Sequence, residues 1–242
     1  MMKARTHLKS SDRRQQVLAA ASRLFAERGF RGTHIREICH AAGVNIASVC
    51  YYFHGKQELY AMVVEEACQG LRTPPEIVAF LAQQMTPGQR LKATVESLFR
   101  RLSGDSQWVA KLAARELVEP AVGRSGLVSS GFQQDLVLLE SAVKQLLAPD
   151  GDPNTVRLTA LSVLSQCVFF CAAQDALSII FPKGGMASVS SDALARHVVS
   201  LSLGALENPA SQLGPKKGKE RRVEKAGGRL PKHFGQQRDS AP

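Results

Sequence analysis

The chain has 242 residues, long enough to bury a real core in one large domain or two modest ones, and carries a formal charge of +10, so an anionic partner comes first to mind. Its five cysteines, Cys39, Cys50, Cys68, Cys167 and Cys171, are an odd number and exclude a dense disulfide framework; reduced thiols are expected. The first sixteen residues are basic and polar with no apolar run behind them, which excludes a secretory signal pattern there.

The charge is unevenly placed. Residues 1–57 hold ten Lys and Arg against three acids, residues 58–207 hold twelve against fifteen, and residues 208–242 hold nine against three. A basic head, a near-neutral middle and a basic tail assign anion binding to the ends.

In chain order, residues 1–10 read as a flexible basic arm. Ser11-Asp12 offers a cap for a helix with Val17, Ala20, Ala21, Leu24 and Phe25 at helical spacing, and Gly29 ends it. Thr33 is the expected N-cap of a short helix over 34–42 that Gly43 stops after about two turns. Asn45 caps a second short helix over 46–53, and His54-Gly55-Lys56 opens a longer one to about 71. Pro-led starts predict helices over 75–84 and 87–102. Asp105 starts the next, which ends before Pro120, and 121–130 reads as a Gly/Ser-rich loop. Helices are then expected over 131–147, 153–180 and 192–206. Residues 158–174 carry no charge, near the short limit of a membrane span, but include Thr159, Ser162, Ser165, Gln166 and Gln174; a buried helix is the expectation. No alternating strand pattern appears, so the fold class is all-α. The Lys/Arg/Gly/Pro/Gln-rich residues 208–242 are expected to lack fixed structure.

Two short helices meeting at a glycine are the elements of a helix-turn-helix. The first must brace the second, so Ile35, Ile38, Val44 and Val49 are expected to pack over Leu24 and Phe25. The second must offer small and polar side chains to a major groove, and Asn45, Ala47, Ser48 and Cys50 meet that limit. Thr33, Tyr51 and Lys56 are placed to donate to phosphates on either side. His34, Arg36, Ile46, Tyr52 and Phe53 complete the expected DNA-binding set.

Residues 11–71 resemble the DNA-binding domain of the TetR/AcrR family of bacterial regulators. The landmarks are Ala21-x-x-Leu24-Phe25-Ala26-Glu27-x-Gly29-Phe30, Thr33-x-Ile35-x-Glu37-Ile38, Ala41-x-x-Gly43-Val44 and Tyr51-x-Phe53-x-x-Lys56-x-x-Leu59. Cys50 and Tyr52 depart from the family's usual Tyr-Tyr/Trp-His-Phe tract. Arg115-Glu116-Leu117-x-Glu119-Pro120, the run 161–169 and Leu194-Ala195-Arg196-His197 are similar to the CecR-like branch. The resemblance covers 11–206. It implies a helical ligand-binding and dimerisation domain over 72–207, a homodimer on double-stranded operator DNA, cytoplasmic location, and repression relieved by a small-molecule effector.

The effector site expected inside that domain is lined by Phe99, Trp108, Leu112, Phe132, Leu136, Phe169 and Phe170, with Arg115, Glu116 and Gln166 as polar anchors. That composition suits an apolar, xenobiotic-like molecule. Core packing is the alternative for the same aromatic residues. Cys167 and Cys171 read as core, and His34, Cys39, His40 and His54 match no zinc spacing, so no metal or cofactor is expected. No catalytic elbow, phosphate loop or His-Glu-x-x-His motif appears, so an enzyme is not expected; an architectural DNA-associated protein and an α-helical binding module are the competing classes.

Overall fold

The computed structural model describes residues 2–119, 130–147, 152–182 and 189–207, with side chains from residue 12 to residue 206. Among these residues are eleven α-helices, one short 3₁₀ turn and no strand. The helices are α1 Met2–Gly32, α2 Ile35–Ala42, α3 Ile46–Phe53, α4 Lys56–Leu71, α5 Pro75–Gln84, α6 Pro87–Leu102, α7 Gln107–Val118, α8 Gln133–Leu146, α9 Pro153–Ala172, α10 Gln174–Ile180 and α11 Ser191–Glu207. The expected loop over 121–130 falls almost wholly outside the described residues, and the tail over 208–242 lies wholly outside them.

Helix α1 starts well before Ser11-Asp12 and runs through the residues expected as a flexible arm. No Gly or Pro precedes Gly29, and Ala, Leu, Lys, Arg and Gln are strong helix formers, so nothing halts the helix there. It ends in substance at Gly29, whose φ of 72° and ψ of 175° suit only glycine. Helices α1 to α4 form a head built on Phe25, Ile38, Val49, Phe53 and Leu59, all buried. Leu24, Ile35 and Val44 pack against that cluster from its edge, so the bracing set expected from spacing is assembled.

In the body, α6 lies against α8, α9 and α11, and α7 packs on α9 and, across the joint, on α1. Two arginines tie the helix ends down. Arg90 is buried and donates to the carbonyls of Leu81, Ala82 and Met85, so its charge sits at the negative end of α5, and it also donates to Ser141 Oγ at 2.8 Å. Arg101 donates to the Leu71 carbonyl at the end of α4 and pairs with Asp135 of α8 at 2.5 Å. Burial pushes the Asp135 carboxyl up against the lowering effect of that guanidinium.

The single helix expected over 153–180 is two, bent at Ala173. Gln107 of α7 reaches that junction. Its amide donates to the Cys171 carbonyl at 3.2 Å and to Gln174 Oε1 at 3.3 Å. Helix α9 is long and apolar enough to cross a membrane by composition, with mean hydropathy 1.5, yet one of its faces is packed in the body. Its other face is not buried as expected: Leu158, Leu161 and Phe169 are exposed.

Candidate nucleic-acid interface

Helix α2 is set by local chemistry. The Glu37 carboxylate accepts from the His34 backbone N–H at 2.9 Å and pairs with Arg28 of α1 at 2.5 Å. Those donors hold its carboxyl below the usual range, the His34 bond contributing most. Gly43 turns the chain in the left-handed region, φ 64° and ψ 32°, and the Val44 N–H reaches back to the Cys39 carbonyl at 3.0 Å. Asn45 then caps α3, its Oδ1 accepting from the Ser48 N–H and the Ser48 hydroxyl, both at 2.9 Å.

The period of α3 decides what it presents. Val49 and Phe53, one turn apart, face the head core. Asn45, Ile46, Ala47, Cys50 and Tyr51 are therefore turned outward, and Tyr51 is 76% exposed. Ser48 is half-buried and its hydroxyl proton is committed to Asn45, which leaves oxygen lone pairs to face a base. Tyr52 is half-buried, its ring edge-on to Tyr51 at 5.0 Å. The Lys56 ammonium stands 4.4 Å over the Phe30 ring, beside the N-terminus of α4. His34 and Arg36 are exposed at the front of α2.

Two expected contacts are corrected. Thr33 neither caps α2 nor faces a phosphate: it is fully buried, and its hydroxyl donates to the carbonyls of Leu24, at 3.1 Å, and Gly29, at 2.8 Å. The cap position falls to His34, while the Thr33 hydroxyl turns back to the end of α1. Phe53 is buried beneath α3 with the Arg14 guanidinium 5.4 Å from its ring centroid, so it supports the helix without reaching DNA. Of the four residues weighed as zinc ligands, Cys39 is buried and the three histidines are exposed, with no convergent metal set among the described residues.

The residues expected to line an effector site are spread over several places in the body. Phe99, Leu112 and Phe132 are buried in the core, and Trp108, Leu136 and Phe170 pack on its edge. Phe169 points outward, 55% exposed, and Gln166 bonds to the Ser162 carbonyl of its own helix. Phe99, Leu112 and Phe132 fill space between helices. Cys167 and Cys171 are likewise packed, and burial pushes both thiols up.

Arg115 and Glu116 join head to body. Arg115 donates to the carbonyls of Ala26, at 2.9 Å, and Glu27, while the Tyr60 hydroxyl of α4 donates to Glu116 Oε1. Burial, with Glu116 alongside, pushes the Tyr60 hydroxyl up, so it remains a donor. Spacing could not reveal these contacts, because the partners are 56 to 89 residues away. A cavity of about 670 Å³ opens beside them, between the end of α1, α4, α7 and α10, and a second of about 640 Å³ lies between α6 and the start of α11. Of the ten expected effector residues, Arg115 and Glu116 border the first and Phe99 the second.

Residues 17–63 match the family model described as bacterial regulatory proteins, tetR family, and residues 87–206 match that of the C-terminal domain of the HTH-type transcriptional dual regulator CecR. The probable HTH-type transcriptional regulator YttP of Bacillus subtilis is 35% identical over 86 residues, which span 35% of this chain and 42% of that protein. The HTH-type transcriptional activator FasR of Mycolicibacterium smegmatis is 32% identical over 158 residues, 64% of this chain and 71% of that protein. Among solved structures, AibR in complex with isovaleryl coenzyme A and operator DNA shares the fold, with a TM-score of 0.59 at 19% identity over 78% of this chain and 97% of that one.

Proposed function

This chain belongs to the tetR family of bacterial regulatory proteins, with a CecR-type C-terminal half, and is a DNA-binding transcriptional regulator; we infer that it is an effector-responsive repressor that binds its operator as a homodimer in the cytoplasm. The observation that carries the reading is the exposed face of α3: Ile46, Ala47, Cys50 and Tyr51 project from a helix braced by buried Val49 and Phe53. Ala47 and Cys50 are small enough to let the helix enter a major groove, and Tyr51, Lys56, Arg36 and His34 supply donors for phosphates around it. The reading assigns the chain no reaction and no cofactor.

The dimer is supported by unpartnered apolar surface on α9 and α11. Leu158, Leu161 and Phe169 form a stripe on α9, and α11, which packs on α9, exposes Leu201 and carries Gly204, where an added Cβ would meet open space. Phe170 and His197 hold the two helices together, ring centroids 6.3 Å apart. Two such helix pairs make an isologous four-helix interface and set two reading heads about 34 Å apart or a small multiple of it. Effector control is supported by AibR, whose structure holds both isovaleryl coenzyme A and operator DNA. Activation is the second reading, favoured by the relative FasR, a transcriptional activator.

Footprinting on the DNA upstream of the chain's own gene and its neighbours tests this. Two protected half-sites about one helical turn apart support it, and a reporter behind that site falls in expression when the protein is present. Uniform protection at low salt with no preferred site would fit a nonspecific DNA-associated protein instead, and a rising reporter would favour activation.

A further inference from the structure

We propose that the joint between head and body is the effector site and that it takes an amphipathic carboxylate, one acid group on a hydrocarbon body. The proposal rests on the reading of the chain as an effector-responsive regulator, and it places the effector at the joint and not in the packed body core. The cavity of about 670 Å³ there is within the size range of small-molecule sites. Its wall comes from both halves: residues 26–32 at the end of α1 and Tyr60 of α4 on one side, α7 and Ala172 to Ala176 on the other. A molecule seated in it touches the reading head and the body at once. That is the physical requirement for a ligand that binds two head orientations with different affinities.

The wall carries four basic side chains, Arg28, Arg31, Lys111 and Arg115, and four acids, Glu27, Glu116, Glu119 and Asp175, so which of them is already paired selects the ligand; Glu27, on the head side, is solvent-exposed. Much of the surface is apolar, from Phe30, Ala114, Val118 and Ala176. The acids contributed by the body are engaged: Glu116 accepts from Tyr60, Glu119 faces Arg31 at 3.4 Å, and Asp175 holds Lys111 at 2.6 Å. Arg115 differs. Its two bonds go to neutral carbonyls, those of Ala26 and Glu27, and among the described residues no carboxylate pairs with it. A carboxylate is a stronger acceptor for a guanidinium than an amide carbonyl and can take it through two parallel bonds. An acid entering the cavity therefore draws Arg115 from the end of α1, and the bond that holds the ligand is the bond that unlatches the head.

Isothermal titration calorimetry on the full-length chain with decanoate, decanol and decylamine, each kept below self-association, tests the site. Decanoate should bind once per chain and about tenfold or more tighter than the alcohol or the amine. Arg115→Gln should bring decanoate to the level of decanol. Ala176→Trp, at an exposed wall position, should abolish decanoate binding while the circular dichroism stays helical; Val118→Trp, also exposed, serves if that variant does not fold. Equal affinity for the three probes, decanoate binding untouched by the tryptophan, or no saturable heat from any probe overturns the proposal. Operator binding by the same protein without probe separates the two readings. If it is present while decanoate has no effect on it, the site fails and the regulator stands; if it is absent, the regulator reading itself fails.

Discussion

Arg115 Nε lies 2.9 Å from the carbonyl oxygen of Ala26, a contact between residues 89 apart in the chain, and the next residue, Glu116, accepts from Tyr60 of α4. Two consecutive side chains on α7 thus hold the end of α1 and the middle of α4. The head cannot turn on the body without changing one of these bonds.

Tyr60→Phe isolates one of them. Glu116 is buried, so losing the hydroxyl removes a donor from a carboxylate that water reaches poorly. A cost of about 1–3 kcal/mol is expected, read as a lower midpoint in thermal melting, with the helical signal before melting unchanged. A melting temperature equal to that of the parent chain would contradict the coupling.

Thr33→Val separates a structural threonine from a phosphate contact. The valine is close in shape but removes the hydroxyl that donates to the carbonyls of Leu24 and Gly29. The head should lose about 1–3 kcal/mol, while the dependence of operator binding on salt keeps its slope, because no phosphate contact is removed. A slope reduced by about one would restore the phosphate role.

Lys56→Ala should do the reverse. Its ammonium, held over Phe30 next to the start of α4, is placed for a phosphate. Binding should weaken for all sequences alike and the salt slope should fall by about one, with stability little changed, as measured by fluorescence anisotropy at several salt concentrations.

Acid should loosen the head through Glu37. Its folded pKa is lowered, chiefly by the His34 N–H and then by Arg28, so its contribution is complete at neutral pH. That contribution is lost as pH falls below the ordinary carboxylate range, about 4.3, through the lowered value. Thermal melting from pH 7 to pH 3 should show the parent chain losing more stability than Glu37→Gln over that window. Parallel profiles would remove Glu37 from the account.

Leu161→Glu with Leu201→Glu places charge on the exposed stripe of α9 and α11. Sedimentation should show the dimer mass halved and the helical signal retained, since neither side chain supports the fold of its own chain. An unchanged mass would move the interface elsewhere.

The helix-turn-helix was legible because its determinants are local. Glycine at 43, Asn45 as a cap and the Val49–Phe53 period fix where α2 and α3 lie and which side of α3 is outward. Thr33 misled because a threonine before a short helix carries the same signal whether its hydroxyl turns to the helix, to a phosphate or, as here, to carbonyls of the preceding helix. The aromatic set from Phe99 to Phe170 was harder to place: helical spacing groups side chains on a face but does not show whether space is left beside them. Arg115 and Glu116 stood out in the sequence as polar anchors, but their partners Ala26 and Tyr60 did not, and neither did the contact of Gln107 at the end of α9, since each pair lies more than fifty residues apart in the chain.

The claim that the outward face of α3 reads base edges is tested most directly by selecting binding sites from random DNA with the parent chain and with Cys50→Arg. Residue 50 is exposed in the middle of that face. The account predicts that the variant changes the preferred base at one symmetric step in each half-site, towards guanine, with the remaining positions held. An identical preference in both selections would contradict it.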